Sequence, residues 1–197
     1  MKKNFFIAFV PVFLLAMALT WAIHNSPVSA APAIANTPAY TADGQLTLPA
    51  NYREWVFLTS GFGMNYSNGS GNQPMFTNVY VSPQAYQGFK TTRAWPQKSM
   101  FVVEIYSPAS EGSINKSGYY QKDFHGLDIE VKDSSRKQEW SYYNFSPGET
   151  AAAAMGGGCE KCHNEHGAVE HTFVQFYPTL LGFARDKNLL KPGVKIQ

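Results

Sequence analysis

Gly156-Gly157-Gly158-Cys159-Glu160-Lys161-Cys162-His163 uses both cysteines of the 197-residue chain, two residues apart and followed at once by histidine. That is the attachment pattern of a c-type haem, in which two thiols meet the two vinyl groups of one porphyrin and the neighbouring imidazole reaches the iron. Two other chemistries share part of the pattern. A redox dithiol would open a helix behind a strand in a βαβ unit, and the triple glycine supplies no such context. A four-thiolate zinc site would need a second cysteine pair, which the sequence lacks. The group opposite His163 decides between electron transfer and ligand chemistry. Met64, Met75, Met100 and Met155 could supply a thioether, although filling core space is the commoner use of methionine. His125 could supply a second imidazole, whereas His166 and His171 lie so close to the motif that they flank it or face solvent. None of these residues stands out, so an open iron is a serious option.

The segments before the motif read mostly as strands. Phe76-Thr77-Asn78-Val79-Tyr80-Val81 has β-branched and aromatic content and stops at Ser82-Pro83. Residues 100–106 are nearly continuous in apolar content, which predicts a strand buried on both faces. Residues 119–131 and 140–145 predict two more. Short helices are expected at 52–58 and 84–90, and the Gly-, Asn- and Ser-rich stretch 61–73 is expected as loop. Residues 149–155 favour helix, the glycines break it, and 173–184 carries apolar residues at helical spacing around Pro178. Helix, then strands, then helices predict an α+β fold with an antiparallel sheet.

Composition sets the limits. With 44% hydrophobic and 15% charged residues the chain suits one globular domain. A formal charge of +2 leaves no basic surplus for gripping a phosphate backbone, so no nucleic acid partner is expected. Lys2 and Lys3 precede an apolar run over 5–22, and Val28-Ser29-Ala30 offers a small-residue cleavage site. Residues 1–30 therefore read as a secretory signal peptide, with an uncleaved membrane anchor as the alternative. Cleavage would remove two lysines and no acid, making the mature chain formally neutral. Residues 31–45, small, polar and proline-containing, are expected as a flexible linker, and 46–197 as the folded haem domain. Export predicts a periplasmic location.

Taken in order, Leu48-Pro49, Tyr52-Arg53-Glu54-Trp55, Val79-Tyr80-Val81, Gly126-Leu127-Asp128-Ile129-Glu130-Val131-Lys132-Asp133, the Cys159 to His163 motif and Phe173-Val174-Gln175-Phe176-Tyr177-Pro178 resemble the cytochrome P-460 superfamily. The resemblance implies an antiparallel sheet packed on one covalent haem c, in a homodimer, with Cys159 and Cys162 as anchors and His163 as proximal iron ligand. Family members that oxidise hydroxylamine carry a lysine bonded to the porphyrin, just before a Glu-Leu or Glu-Ile pair. Here the pair is Glu104-Ile105 and the preceding residue is Val103. Lys98, five positions earlier on the same strand, has the wrong phase to replace that amine. The arrangement is similar to the cytochrome c′-beta branch, which lacks the cross-link and binds nitric oxide at a five-coordinate iron. Phe76, near the family's aromatic cap, Val103 and Ala154 are then expected to form an apolar distal pocket favouring a neutral gas. Two alternatives stay open: a hydroxylamine or nitric oxide oxidoreductase passing electrons to a soluble cytochrome, and a six-coordinate electron carrier. Arg53 and Arg93 are candidates to meet the haem propionates.

Overall fold

Along Ser99–Ala109 successive side chains enter two different interiors: Phe101, Val103 and Ile105 go to one side of a sheet, Met100, Val102 and Glu104 to the other. The two-residue period of an extended chain makes this segregation automatic once both faces are covered. The computed structural model describes residues 36–64 and 73–196. The expected signal peptide, the start of the expected linker and much of the expected 61–73 loop fall outside that range. Among the described residues, no helix is long and apolar enough to cross a membrane.

Five strands follow one another in a simple antiparallel meander: β2 (Val56–Phe62), β3 (Phe76–Val81), β4 (Ser99–Ala109), β5 (Tyr120–Lys132) and β6 (Trp140–Phe145). Helix α1 (Pro83–Thr92) links β3 to β4, starting at a proline whose missing N–H costs nothing there and ending at Arg93 in the left-handed region. Two-residue strands β1 (Leu46–Thr47) and β7 (Ala151–Ala152) pair with each other. Helices α2 (Gly158–His166) and α3 (Pro178–Asp186) close the chain, giving the expected α+β class.

One face of the sheet packs on Phe89, Trp95, Leu180 and Ala184 from α1, α3 and their flanks. The other packs on Leu46, Tyr52 and Trp55 from the N-terminal segment. On that second face Glu104 is buried but well supplied, accepting from Tyr52 Oη and Arg53 Nε, each at 2.7 Å.

Three local expectations are corrected. Within residues 52–58 only Tyr52–Glu54 make a helical turn, of the 3₁₀ type, and Val56 onward joins the sheet. Aromatic and β-branched side chains there find a partner strand in β3, and that pairing outweighs local preference. Ala151 and Ala152, expected in a helix, instead pair with Thr47 and Leu46. The described part of the expected linker is tied down. Asn36 Oδ1 accepts from Trp55 Nε1 at 3.0 Å, Tyr40 Oη donates to Asp133 Oδ2 at 3.1 Å, and Arg136 donates to Gly44 O at 2.7 Å. Residues 36–45 accordingly lie against the folded domain instead of hanging free of it.

Phe89 is fully buried and stacks on Trp95 with ring centroids 4.1 Å apart. Phe89→Ala should cost about 3–5 kcal/mol, read as a lower denaturation midpoint in urea. A second expectation concerns acid. Burial works against the Asp133 carboxylate, but bonds from Lys98, Ser135 and Tyr40 outweigh it and hold its pKa below the usual range. A group depressed in the folded state stabilises above its unfolded pKa, and that contribution is lost as pH falls through the folded value. Asp133→Asn should therefore flatten the acid limb of the stability profile, measured by thermal melts from pH 6 downward.

Candidate functional site

Cys159, Cys162 and His163 occupy positions i, i+3 and i+4 of α2, so they share one helical face. That face forms one wall of a cavity of about 590 Å³ whose opposite wall is the sheet. Val79 of β3 and Phe101, Val103 and Ile105 of β4 make most of the sheet side apolar. Strands lie ~4.8 Å apart, so the cavity, reaching from Tyr142 on β6 to Thr59 on β2, spans the width of the sheet.

The imidazole of His163 is fixed from behind. Helix α2 ends at Gly167, whose N–H donates to His163 O at 2.9 Å. A Cβ on Gly167 would lie 2.6 Å from His163 O and 2.7 Å from the carbonyl carbon of His171, so only glycine permits this close turn. The turn brings His171 O within 2.9 Å of His163 Nδ1. Nδ1–H donating to that carbonyl assigns the tautomer and leaves Nε2 with a free lone pair. Tyr142 and Phe173 flank the ring, each with centroids 4.6 Å away and tilted by 54° and 56°.

Two carboxyl groups interrupt the apolar wall. Asp128 accepts from Asn144 Nδ2 at 2.8 Å. Glu130 is buried, its Oε1 lies 3.3 Å from His163 Nδ1, and that oxygen has no hydrogen-bond partner among the described residues. Burial pushes the Glu130 carboxyl up, with His163 opposing. Burial and then the charge of Glu130 push the Tyr142 hydroxyl up, so it stays a neutral phenol. Burial followed by the charge of Asp128 raises the Cys159 thiol. A redox-active dithiol needs the opposite shift, which disfavours that reading of the cysteine pair.

The expected site residues divide between the cavity and other places. Cys159, Cys162, His163 and Val103 line it together. Phe76 does not: the alternation of β3 sends Thr77 and Val79 inward, and Phe76 packs on Phe62 at 4.5 Å on the other face. Ala154 is exposed, held in a bridge to Tyr143, and the next residue, Met155, lines the cavity instead. Met64 and Met75 also line it, while Met100 is buried in the opposite core. His125 is exposed, His166 borders a neighbouring cleft, and His171 serves through its carbonyl. Arg53 is turned to Glu104 and Arg93 is exposed at the end of α1, so neither lines the cavity. The expectation of a wholly apolar wall overlooked Asp128 and Glu130. Their signal was the alternation Leu127-Asp128-Ile129-Glu130-Val131, which reads equally as a solvent-facing strand.

The donor set fits a haem c. Two thiols and an oriented imidazole share one largely apolar cavity, within the roughly 300–1,000 Å³ of cofactor sites. Among the described residues no group of three or more His, Cys, Asp or Glu could hold a metal ion unaided. A family model described as Cytochrome P460 matches residues 49–174, well over half of the chain, and no curated protein matches it. The chain belongs to the cytochrome P460 family, whose members carry haem c with iron.

Gly167→Ala should push the His171 carbonyl off His163 Nδ1. The expected result is a protein that retains covalently bound haem but shows a weakened iron–imidazole stretching band by resonance Raman, with a lower thermal midpoint.

Proposed function

We propose that this member of the cytochrome P460 family is an exported, periplasmic monohaem cytochrome that binds nitric oxide or a related small nitrogen species. Cys159 and Cys162 would tether the haem and Nε2 of His163 would ligate its iron. The observation that carries the reading is the single helical face presenting both thiols and an imidazole of fixed tautomer to one largely apolar cavity. Each thiol would add across one vinyl C=C, its proton passing to the adjoining carbon, so tethering needs no oxidant. When bound, the group would supply an iron able to take a diatomic ligand.

The protein's part is to hold the ring, exclude water and choose among ligands. Val79, Val103 and Ile105 offer no hydrogen bond, and an apolar wall favours a neutral gas over water or an anion. No lysine lines the cavity among the described residues, and Lys98 is paired with Asp133, which supports an unmodified macrocycle. A homodimer and a soluble cytochrome as redox partner belong to the same reading. The stacked rings of Phe62 and Tyr119, 40% and 62% exposed, support a surface that a second copy would cover.

Two rival readings each have a specific observation behind them. Met64, Met75 and Met155 line the cavity, and a thioether on the iron would make an electron carrier. Asp128 lines the cavity and could accept a proton from hydroxylamine, as an oxidoreductase would require.

Absorption spectra of purified protein, oxidised and reduced, with and without nitric oxide, separate the three. The proposal expects an ordinary c-type Soret band with five-coordinate high-spin features that shifts on adding the gas. A low-spin spectrum with a methionine-to-iron charge-transfer band would sink it in favour of the carrier, and a red-shifted green-pigment band would do so in favour of the oxidoreductase. His163→Ala should abolish iron–imidazole ligation while leaving haem tethered, seen as covalent mass without an iron–imidazole band.

A further inference from the structure

Glu130 stands on β5 with Phe101 beside it on β4 and Tyr142 beside it on β6. Its side chain is only 8% exposed. An apolar residue would fill this place at no electrostatic cost, whereas a carboxyl oxygen lacking a hydrogen-bond partner is a standing penalty. Oε1 lies 3.3 Å from His163 Nδ1, and the N–H on that nitrogen is already directed to His171 O at 2.9 Å. One donor thus faces two acceptors, a well-aligned carbonyl and a buried carboxyl oxygen without a hydrogen bond of its own, while the Tyr142 hydroxyl lies beside the same carboxyl group. Neither Tyr142, a neutral phenol on one side of the ring, nor Phe173 on the other offers the ring nitrogen a competing acceptor of comparable charge.

We propose that Glu130 is a positioning residue for the iron ligand, acting through His163 Nδ1–H to make Nε2 a stronger donor and to lower the reduction potential of the iron. This rests on His163 being the iron ligand, as proposed above. Electron density drawn toward Nδ1–H raises the basicity of the opposite nitrogen, and partners of this kind behind a ligating histidine commonly change metal affinity or activity 10–100-fold. A carboxyl group against the imidazole also favours the more positive, ferric state. Residue 130 therefore biases which oxidation state meets an incoming ligand without touching that ligand.

The test uses the haem-loaded wild type, Glu130→Gln and Glu130→Leu, with covalent haem verified by mass. Gln keeps the shape with a weaker acceptor, and Leu removes the acceptor. The iron–imidazole stretching band of the ferrous protein should fall, and the midpoint potential rise, in the order wild type, Gln, Leu. The Leu variant should change the ferrous-to-ferric ratio at fixed poise about tenfold, ~59 mV for one electron. Its thermal midpoint should hold or rise, because the orphaned oxygen is gone. A merely structural Glu130 predicts the reverse: lower stability with band and potential unmoved, and that result overturns the proposal. Should the Leu variant fail to load haem, the isosteric Gln variant decides by the same two readouts. A wild type without an iron–imidazole band would overturn the haem-ligation reading itself, and the two failures are therefore distinguishable.

Discussion

A sheet covered on both faces cannot slip by one residue. In this protein the constraint is severe, because the two faces differ in kind: one interior is a packed core around Leu46, Val102 and Ile129, and the other opens into the cavity. A shift of one position in β4 would exchange Val103 for Glu104, putting the carboxylate bound by Tyr52 and Arg53 into the cavity and orphaning its donors. The five-donor surroundings of Glu104, which include Asn78, Tyr80 and Tyr106, thus fix the phase of the strand that forms the cavity wall.

The same phase explains which parts of the architecture were legible beforehand. Residues 76–81 and 140–145 coincide with β3 and β6 because their aromatic and β-branched content agrees with the pairing they make. The haem motif was legible because its spacing is chemical rather than conformational. Phe76 was placed by its nearness to the family's aromatic cap, which does not fix the phase of β3, and Asp128 and Glu130 were passed over because their alternation reads equally as a solvent-facing strand. The turn at Gly167 had no signal beyond a lone glycine after a histidine. What makes it essential is the backbone of residue 171 lying against it, a tertiary fact.

Polar groups in the cavity are arranged with economy. Asp128 has Asn144, His163 has the carbonyl of His171, and Tyr142 Oη lies 3.2 Å from His171 Nδ1. His171 thereby joins the proximal side twice, through its main chain to His163 and through its ring to Tyr142, while stacking on Trp140 at 5.2 Å. Such cross-connection holds the His163 ring by elements from the sheet and from the segment after α2 together, so its orientation does not depend on one loop.

The meander places every strand of the cavity floor ahead of Cys159 in the chain. A polypeptide delivered N-terminus first can therefore finish the floor before its thiols arrive. The attachment helix comes late, like a hasp swung over a box already built. Phe173, Phe176 and Tyr177, which also line the cavity, follow later still, so the wall that carries both thiols closes on a floor laid down before it.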